Sequence, residues 1–250
     1  MYGWKGRIGL LIPHRCTTME PEFAKLVPDG VSVHAHRMVL RETSVKGIRR
    51  MQREILRSAL VINAVNPNVI IMGCTTGSMV GGANYDEKVV RDISRVTGTT
   101  AITASAAVIA ALKRHQVQRV AVGTPYTDEL NGLLRTFLER KGFTVTKIKG
   151  LGYSESITSF PLADKPVSGI GLLSPMVAYR LACDVDSEEA EAILISCTNL
   201  RTIEIIEPLE QNLGKPVVTS NQATFALAMH TMGIKEHIKG YGSLLEIDNL

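Results

Sequence analysis

Two stretches of this chain end an apolar run on the same pair of residues: Ile70-Ile71-Met72-Gly73-Cys74-Thr75 and Ile193-Leu194-Ile195-Ser196-Cys197-Thr198. A cysteine placed where a buried strand gives way to Gly, Ser and Thr meets backbone N–H groups and hydroxyls, the donors that hold a thiolate or an anionic substrate. Thr75, Thr76, Gly77 and Ser78 follow Cys74, and Thr198 and Asn199 follow Cys197. Two such thiols on opposite faces of one carbon can remove and return a proton, inverting a stereocentre. Alternatively, one thiolate can add to a double bond, allow rotation about the single bond so formed, and leave again. A lone apolar-flanked cysteine is ordinarily core. The matched pair points instead to acid–base or nucleophilic chemistry on a small carboxylate.

Other candidate groups are weaker. Cys16 follows the carboxyl end of the first strand, where it either lines a cleft or is a plain loop thiol; Cys183, in Tyr179-Arg180-Leu181-Ala182-Cys183, is expected in the core. The four cysteines show no CxxC or Cys/His ligand spacing, which argues against structural zinc. His34, His36, His115, His230 and His237 are scattered and form no metal triad. Gly150-x-Gly152 lacks the third glycine and the strand-to-helix context of a dinucleotide fingerprint, and neither a Walker sequence nor a GxSxG elbow is present. No cofactor and no metal are therefore expected.

The elements that must position the thiols alternate between strand and helix. Strands are expected at 7–13, 31–38, 68–72, 100–103, 119–123, 144–149, 192–196 and 216–219. Helices are expected at 45–63, 85–97, 105–114, 128–141, 175–183, 188–190, 203–213 and 221–232, with a loop over 150–174. Such alternation gives an α/β fold in which mainly parallel sheets are flanked by helices and sites lie beyond the strands' carboxyl ends.

The chain also reads as duplicated. Leu11-Ile12-Pro13 with Thr17 is echoed by Val122-Gly123-Thr124-Pro125-Tyr126-Thr127, the Cys-Thr runs echo each other, and Ile102-Thr103-Ala104-Ser105 is echoed by Val218-Thr219-Ser220-Asn221. Two pseudo-symmetric lobes are expected, 1–115 and 116–224, with 225–250 packing back on the first and the active site in the cleft between them.

At 250 residues, 45% hydrophobic and 21% charged, the chain can bury a sizeable core in two lobes of this size. The net charge of +4 is mild, and the basic cluster Arg49-Arg50-Met51-Gln52-Arg53 has the spacing of a solvated helix face. With neither a concentrated basic stripe nor interleaved aromatics, nucleic acid is not an expected partner. The opening Met-Tyr-Gly-Trp-Lys-Gly-Arg lacks a secretory h-region and no run nears ~20 apolar residues, so a cytoplasmic location off the membrane is expected.

These motifs resemble the aspartate/glutamate racemase superfamily, and more closely its branch of maleate cis–trans isomerases and arylmalonate decarboxylases. Ile8-Gly9-Leu10-Leu11-Ile12-Pro13 with Thr17-Thr18-Met19-Glu20 is similar to the isomerases' opening, Gly73-Cys74-Thr75 and Ser196-Cys197-Thr198 to the two cysteine motifs, Thr124-Pro125-Tyr126 to the substrate-tyrosine segment, and Lys215-Pro216-Val217-Val218-Thr219-Ser220 to the strand before the last helix. The likeness covers roughly residues 5–245. It implies Cys74 as nucleophile or first acid–base group and Cys197 as the second, with Pro13, Cys16, Thr75, Thr76, Tyr126, Thr198 and Asn199 around a small carboxylate substrate. It further implies a cofactor-independent isomerase or racemase that forms a homodimer or higher oligomer. The decarboxylases lack the first cysteine; a malonate-type decarboxylase using Cys197 and a non-catalytic carboxylate-binding protein are the alternatives. The isomerases carry Asn where this chain has Cys16, and a second Asn of theirs falls near Ser156; His14 and Arg15 offer a different anion contact.

Overall fold

A computed structural model describes residues 1–154, 158–160, 163–167 and 169–247, with 158–160 and 163–167 described by their backbone alone. The chain runs through β1 (Gly6–Pro13), α1 (Met19–Leu26), β2 (Val31–Met38), α2 (Val45–Gln52), α3 (Ile55–Ile62), β3 (Val69–Met72), α4 (Thr75–Met79), α5 (Tyr85–Thr97), β4 (Ala101–Thr103) and α6 (Ala104–Arg114). It continues through β5 (Arg119–Thr124), α7 (Asp128–Arg140), β6 (Thr144–Gly150), the antiparallel pair β7 (Thr158–Phe160) and β8 (Ala163–Val167), α8 (Pro175–Val185), β9 (Ala192–Ile195), α9 (Ile206–Leu213), β10 (Val217–Thr219) and α10 (Ser220–Thr231).

Two parallel four-stranded sheets result, ordered β2-β1-β3-β4 and β6-β5-β9-β10. Counted from the start of each half, the order is the same, so the repeat in the sequence is a repeat of topology. β3 and β9 are buried along their whole length, which is why Val69–Met72 and Ala192–Ile195 are apolar without alternation. α6 and α10, which follow the last strand of each sheet, pack against one another. Both are capped by the threonine that ends the strand: Thr103 Oγ1 accepts from Ala106 N at 3.1 Å and Thr219 Oγ1 from Gln222 N at 3.3 Å. Beyond α10 the chain returns to β1, where Met232 and Ile234 lie against Gly6 and Lys5 pairs with Glu236 at 2.8 Å.

Several expected elements differ. The 45–63 helix is two helices: the Arg53 and Glu54 amides donate to Arg50 O at 3.2 Å and Met51 O at 2.9 Å, tightening the last turn of α2, and the Glu54 carboxylate turns away to accept from Val39 N at 2.9 Å. Residues 188–190 form a turn, since α8 stops at Val185 and Ala190 N closes on Ser187 O at 3.1 Å. α9 begins at Ile206, and a β-hairpin occupies part of the 150–174 loop. Two short helices are additional. α1 carries Pro21 in its first turn and buries Met19, Glu22, Phe23 and Leu26, a stripe spaced i, i+3, i+4, i+7. α4, Thr-Thr-Gly-Ser-Met, is built from weak helix formers and held by burial on every side.

Candidate active site

β3 passes into α4 so abruptly that Cys74 becomes the helix's N-cap residue, extended at φ −148° and ψ 109°. Its sulfur lies 3.5 Å from Thr76 Oγ1, and the Thr76 and Gly77 amides also point at it. β9 delivers Cys197 in the same way, with Asn199 N donating to its sulfur at 3.4 Å. The Tyr126 hydroxyl is also within hydrogen-bond reach of the Cys197 thiol. Tyr126 is held at the end of β5 by its own backbone, whose N–H donates to Thr124 Oγ1 at 3.0 Å while Thr124 Oγ1 donates to Asn131 Oδ1 at 2.6 Å. β6 ends against it in Gly150, where a Cβ would stand 2.2 Å from Tyr126 O.

The two cysteine turns meet. Thr198 Oγ1 donates to Gly73 O at 3.2 Å, and Thr75 Oγ1 lies 3.0 Å from Ser220 Oγ. Cys74 and Cys197 line one cavity of about 430 Å³ counting its open mouth, together with Pro13, Cys16, Thr76, Tyr126, Thr198 and Asn199. Thr75 lies behind the wall, its side chain turned to Ser220 and Tyr126. The Asn199 side chain spans to the loop after β1, accepting from Thr17 N at 2.9 Å and donating to Arg15 O at 3.5 Å.

Cys16, which the sequence left open between cleft and plain loop, is a cavity residue at 1% exposure, its thiol donating to Thr198 O at 3.5 Å. Cys183 is not in the core: the buried stripe of α8 is Ala178, Leu181, Ala182 and Val185, and Cys183 falls one residue off it, half-buried. Arg15 lines the cavity, whereas His14 turns Nδ1 to accept from Leu40 N at 3.0 Å and braces the wall. Ser156 lies outside the described residues. Leu40, Thr43 and Ile170 complete the wall without having been singled out in the sequence. Leu40 and Thr43 follow the carboxyl end of β2, the only signal that could have found them, and Ile170 opens a single 3-10 turn, Ile170–Leu172, too short to leave a periodic pattern.

Electrostatically the site is the reverse of a ready thiolate pair. Burial pushes the Cys197 thiol up to about 12 and Cys16 up to about 11, and raises Cys74, against the hydrogen bonds that each receives. Burial and the neighbouring sulfurs also hold the Tyr126 phenol well above its ordinary value. The expected donors are present, but desolvation outweighs them, and the thiols rest protonated near neutrality. Such a site can donate protons at fixed positions and favours an anion that brings its own charge into the row of N–H and O–H donors. Among the described residues no group of three or more His, Cys, Asp or Glu side chains is arranged to hold a metal ion, and no helix is long and apolar enough to cross a membrane.

Known proteins share this architecture. A maleate isomerase of Nocardia farcinica is 26% identical across 97% of this chain and 96% of its own length, and an arylmalonate decarboxylase of Bordetella bronchiseptica is 27% identical across 96% of each. A solved structure of a Nocardia farcinica maleate cis–trans isomerase, a cysteine-to-serine mutant with a covalently bound succinylcysteine intermediate, superimposes with a TM-score of 0.88 at 23% identity, covering 96% of this chain and 98% of that one. The arylmalonate decarboxylase family model matches residues 8–245, nearly the full length, and the chain belongs to that family.

Proposed function

We propose that this protein is a cofactor-independent isomerase or racemase of a small carboxylic or dicarboxylic acid, working through Cys74 and Cys197 in the manner of a maleate cis–trans isomerase. The observation that carries the proposal is the pair of thiols, delivered by equivalent strands of the two halves, lining one cavity with N–H and O–H donors beside each. The relatives named maleate isomerase and the succinylcysteine intermediate of the Nocardia protein support it.

In the proposed cycle Cys74 first loses its proton to solvent, the thiolate being held by the Thr76 hydroxyl and the Thr76 and Gly77 amides. It adds to one alkene carbon, forming a C–S bond, and the π pair moves to the neighbouring carbon and into its carboxylate as an enediolate. The Cys197 thiol protonates that carbon, leaving a single bond free to rotate. Cys197 thiolate then takes a proton back from the same carbon, the double bond re-forms, and the C–S pair returns to Cys74. Tyr126, Thr76, Thr198 and Asn199 N–H or O–H groups are the proposed carboxylate contacts, with Pro13 and Cys16 shaping the wall and Thr75 acting from behind it. In a racemase the same two sulfurs exchange one α-proton without adding.

We assign the site to the cleft between lobes 1–115 and 116–224, with the segment that follows, described as far as residue 247, returning to the first lobe. The proposed setting is a cytoplasmic homodimer or higher oligomer. The test is incubation of the Cys197→Ser variant with maleate, followed by peptide mass analysis. An acid adduct on the peptide containing Cys74 is expected, whereas full maleate-to-fumarate turnover in either Cys74→Ser or Cys197→Ser would refute the two-sulfur cycle. The similarity to an arylmalonate decarboxylase favours one second reading, malonate-type decarboxylation by Cys197. That reading expects Cys74→Ser to be tolerated and CO₂ to be released.

A further inference from the structure

Glu22 is 3% exposed on the buried stripe of α1, beside Met19 and Phe23, where an apolar residue would fit the pattern. A carboxylate taken from water there costs several kcal/mol unless its lone pairs are satisfied. Its oxygens are directed at one target. Oε1 accepts from Thr202 N at 2.7 Å and Ile203 N at 3.2 Å, the backbone that leads away from Cys197. Oε2 accepts at 2.6 Å from Asn221 Nδ2 at the start of α10, and the same Nδ2 donates to Thr198 O at 3.1 Å. Thr198 O is the carbonyl of the residue that follows Cys197, and it also receives the Cys16 thiol. Asn221 Oδ1 is buried with no hydrogen-bond partner, so the amide is oriented wholly by what its nitrogen does.

We infer that Glu22 is a positioning residue for Cys197: from the first half of the molecule its carboxylate clamps the turn at 198–203, directly at Thr202 and Ile203 and through Asn221 at Thr198. That role presupposes the function proposed above for Cys197 as a proton donor and acceptor. Neutral glutamine cannot replace the carboxylate. If its oxygen keeps the two amides, its nitrogen faces Asn221 Nδ2, donor against donor, and relief by an Asn221 flip takes the donor away from Thr198 O.

The charged groups around Glu22 are Glu204 and Arg201 on the turn and Lys25 on α1, which pairs with Glu204 at 3.0 Å; α10 faces it with neutral Asn221. Burial, opposed by the three donors, pushes the Glu22 carboxyl up to about 7. The clamp therefore loses its charge as pH falls through the neutral range.

The experiment compares wild type with Glu22→Gln in two measurements: kcat and KM against pH, and the separate iodoacetamide alkylation rates of Cys74 and Cys197 by peptide mass analysis. Glu22→Gln should lower kcat by about 10- to 100-fold with KM within about threefold, as misplacement of a reacting group does. It should also abolish the low-pH limb near 7 and change alkylation of Cys197 but not of Cys74. Unchanged kcat and Cys197 reactivity would overturn the role, as would parallel shifts at both thiols that track a lowered Tm. Should Glu22→Gln fail to fold, Asn221→Ala decides: it leaves Glu22 on its two amides and removes the donor to Thr198 O, and unaltered Cys197 reactivity there overturns the inference. If wild type turns over no acid, the proposed function fails on its own, and the alkylation arm still decides the clamp.

Discussion

A thiol at 4% or 7% exposure has lost the water that would solvate its anion, and the donors around Cys74 and Cys197 replace that water only in part. The hydrogen bonds still differ in kind. Cys74 faces a hydroxyl and two amides at the start of α4, whereas Cys197 faces one amide and a phenol and feels two neighbouring sulfurs. The first arrangement suits a nucleophile and the second a proton reservoir. Serine keeps the size and hydrogen bonds of either residue but is a far weaker acid and nucleophile. Each single Cys→Ser change should therefore cut turnover by about 10²- to 10⁴-fold while leaving the Tm nearly unchanged, as read by NMR of the product and a thermal melt. The raised value of Cys197 also sets a sign for pH. Its thiolate fraction, and with it the alkylation rate, should keep climbing about tenfold per unit past the point at which free cysteine levels off, near 8.5. A plateau below that point would contradict the burial argument.

At the level of elements, α1 helps tie the halves together beside the α6–α10 contact. Phe23 packs edge-on to Phe225 of α10, centroids 5.4 Å apart and planes at 86°, and both rings are fully buried. Such a pair contributes about 0.5–1.5 kcal/mol beyond the area it buries. Phe23→Ala leaves a ring-sized void between α1 and α10, and urea unfolding should register a loss of about 3–5 kcal/mol. Because Glu22 precedes Phe23 on the same helix, the variant should also disturb Cys197 alkylation more than Cys74 alkylation. Equal effects would mean that α1 supports the whole cleft and not the Cys197 turn in particular.

On the scale of the whole molecule, two sheets of the same strand order are joined through α6, α10 and α1, and Glu22 carries a linkage between folding and pH. Its folded value, about 7, stands above the ordinary 4.5, so the native state binds this proton more tightly than the unfolded chain does. The sign follows: the contribution is fully present below 4.5 and is lost as pH rises through about 7. Wild type should therefore lose more stability than Glu22→Gln between pH 5 and pH 8, measured as the shift in urea midpoint. Identical shifts would place the proton elsewhere. With the larger loss in wild type, the molecule gains the charge proposed to order Cys197 at some cost to its stability, a trade common at functional sites.

Patterns that live within a few residues were enough for much of this protein. Apolar runs closed by Gly-Cys-Thr and Ser-Cys-Thr announce buried strands with a thiol at the end, and their ordered repetition announces two halves of one design. The walls of the site were less legible. Leu40, Thr43 and Ile170 sit on segments without periodicity, and α1 and α4 contain Pro21 or runs of Thr and Gly that give a helix little intrinsic preference. Tertiary packing supplies what propensity does not. Nothing in the local sequence singles out Glu22, because one position on a short helix says nothing about what that side of it will face. Nor could spacing tell whether the thiols rest as anions. Donors are written in the local sequence, whereas desolvation depends on everything that closes over the sulfur, and only the assembled fold determines that.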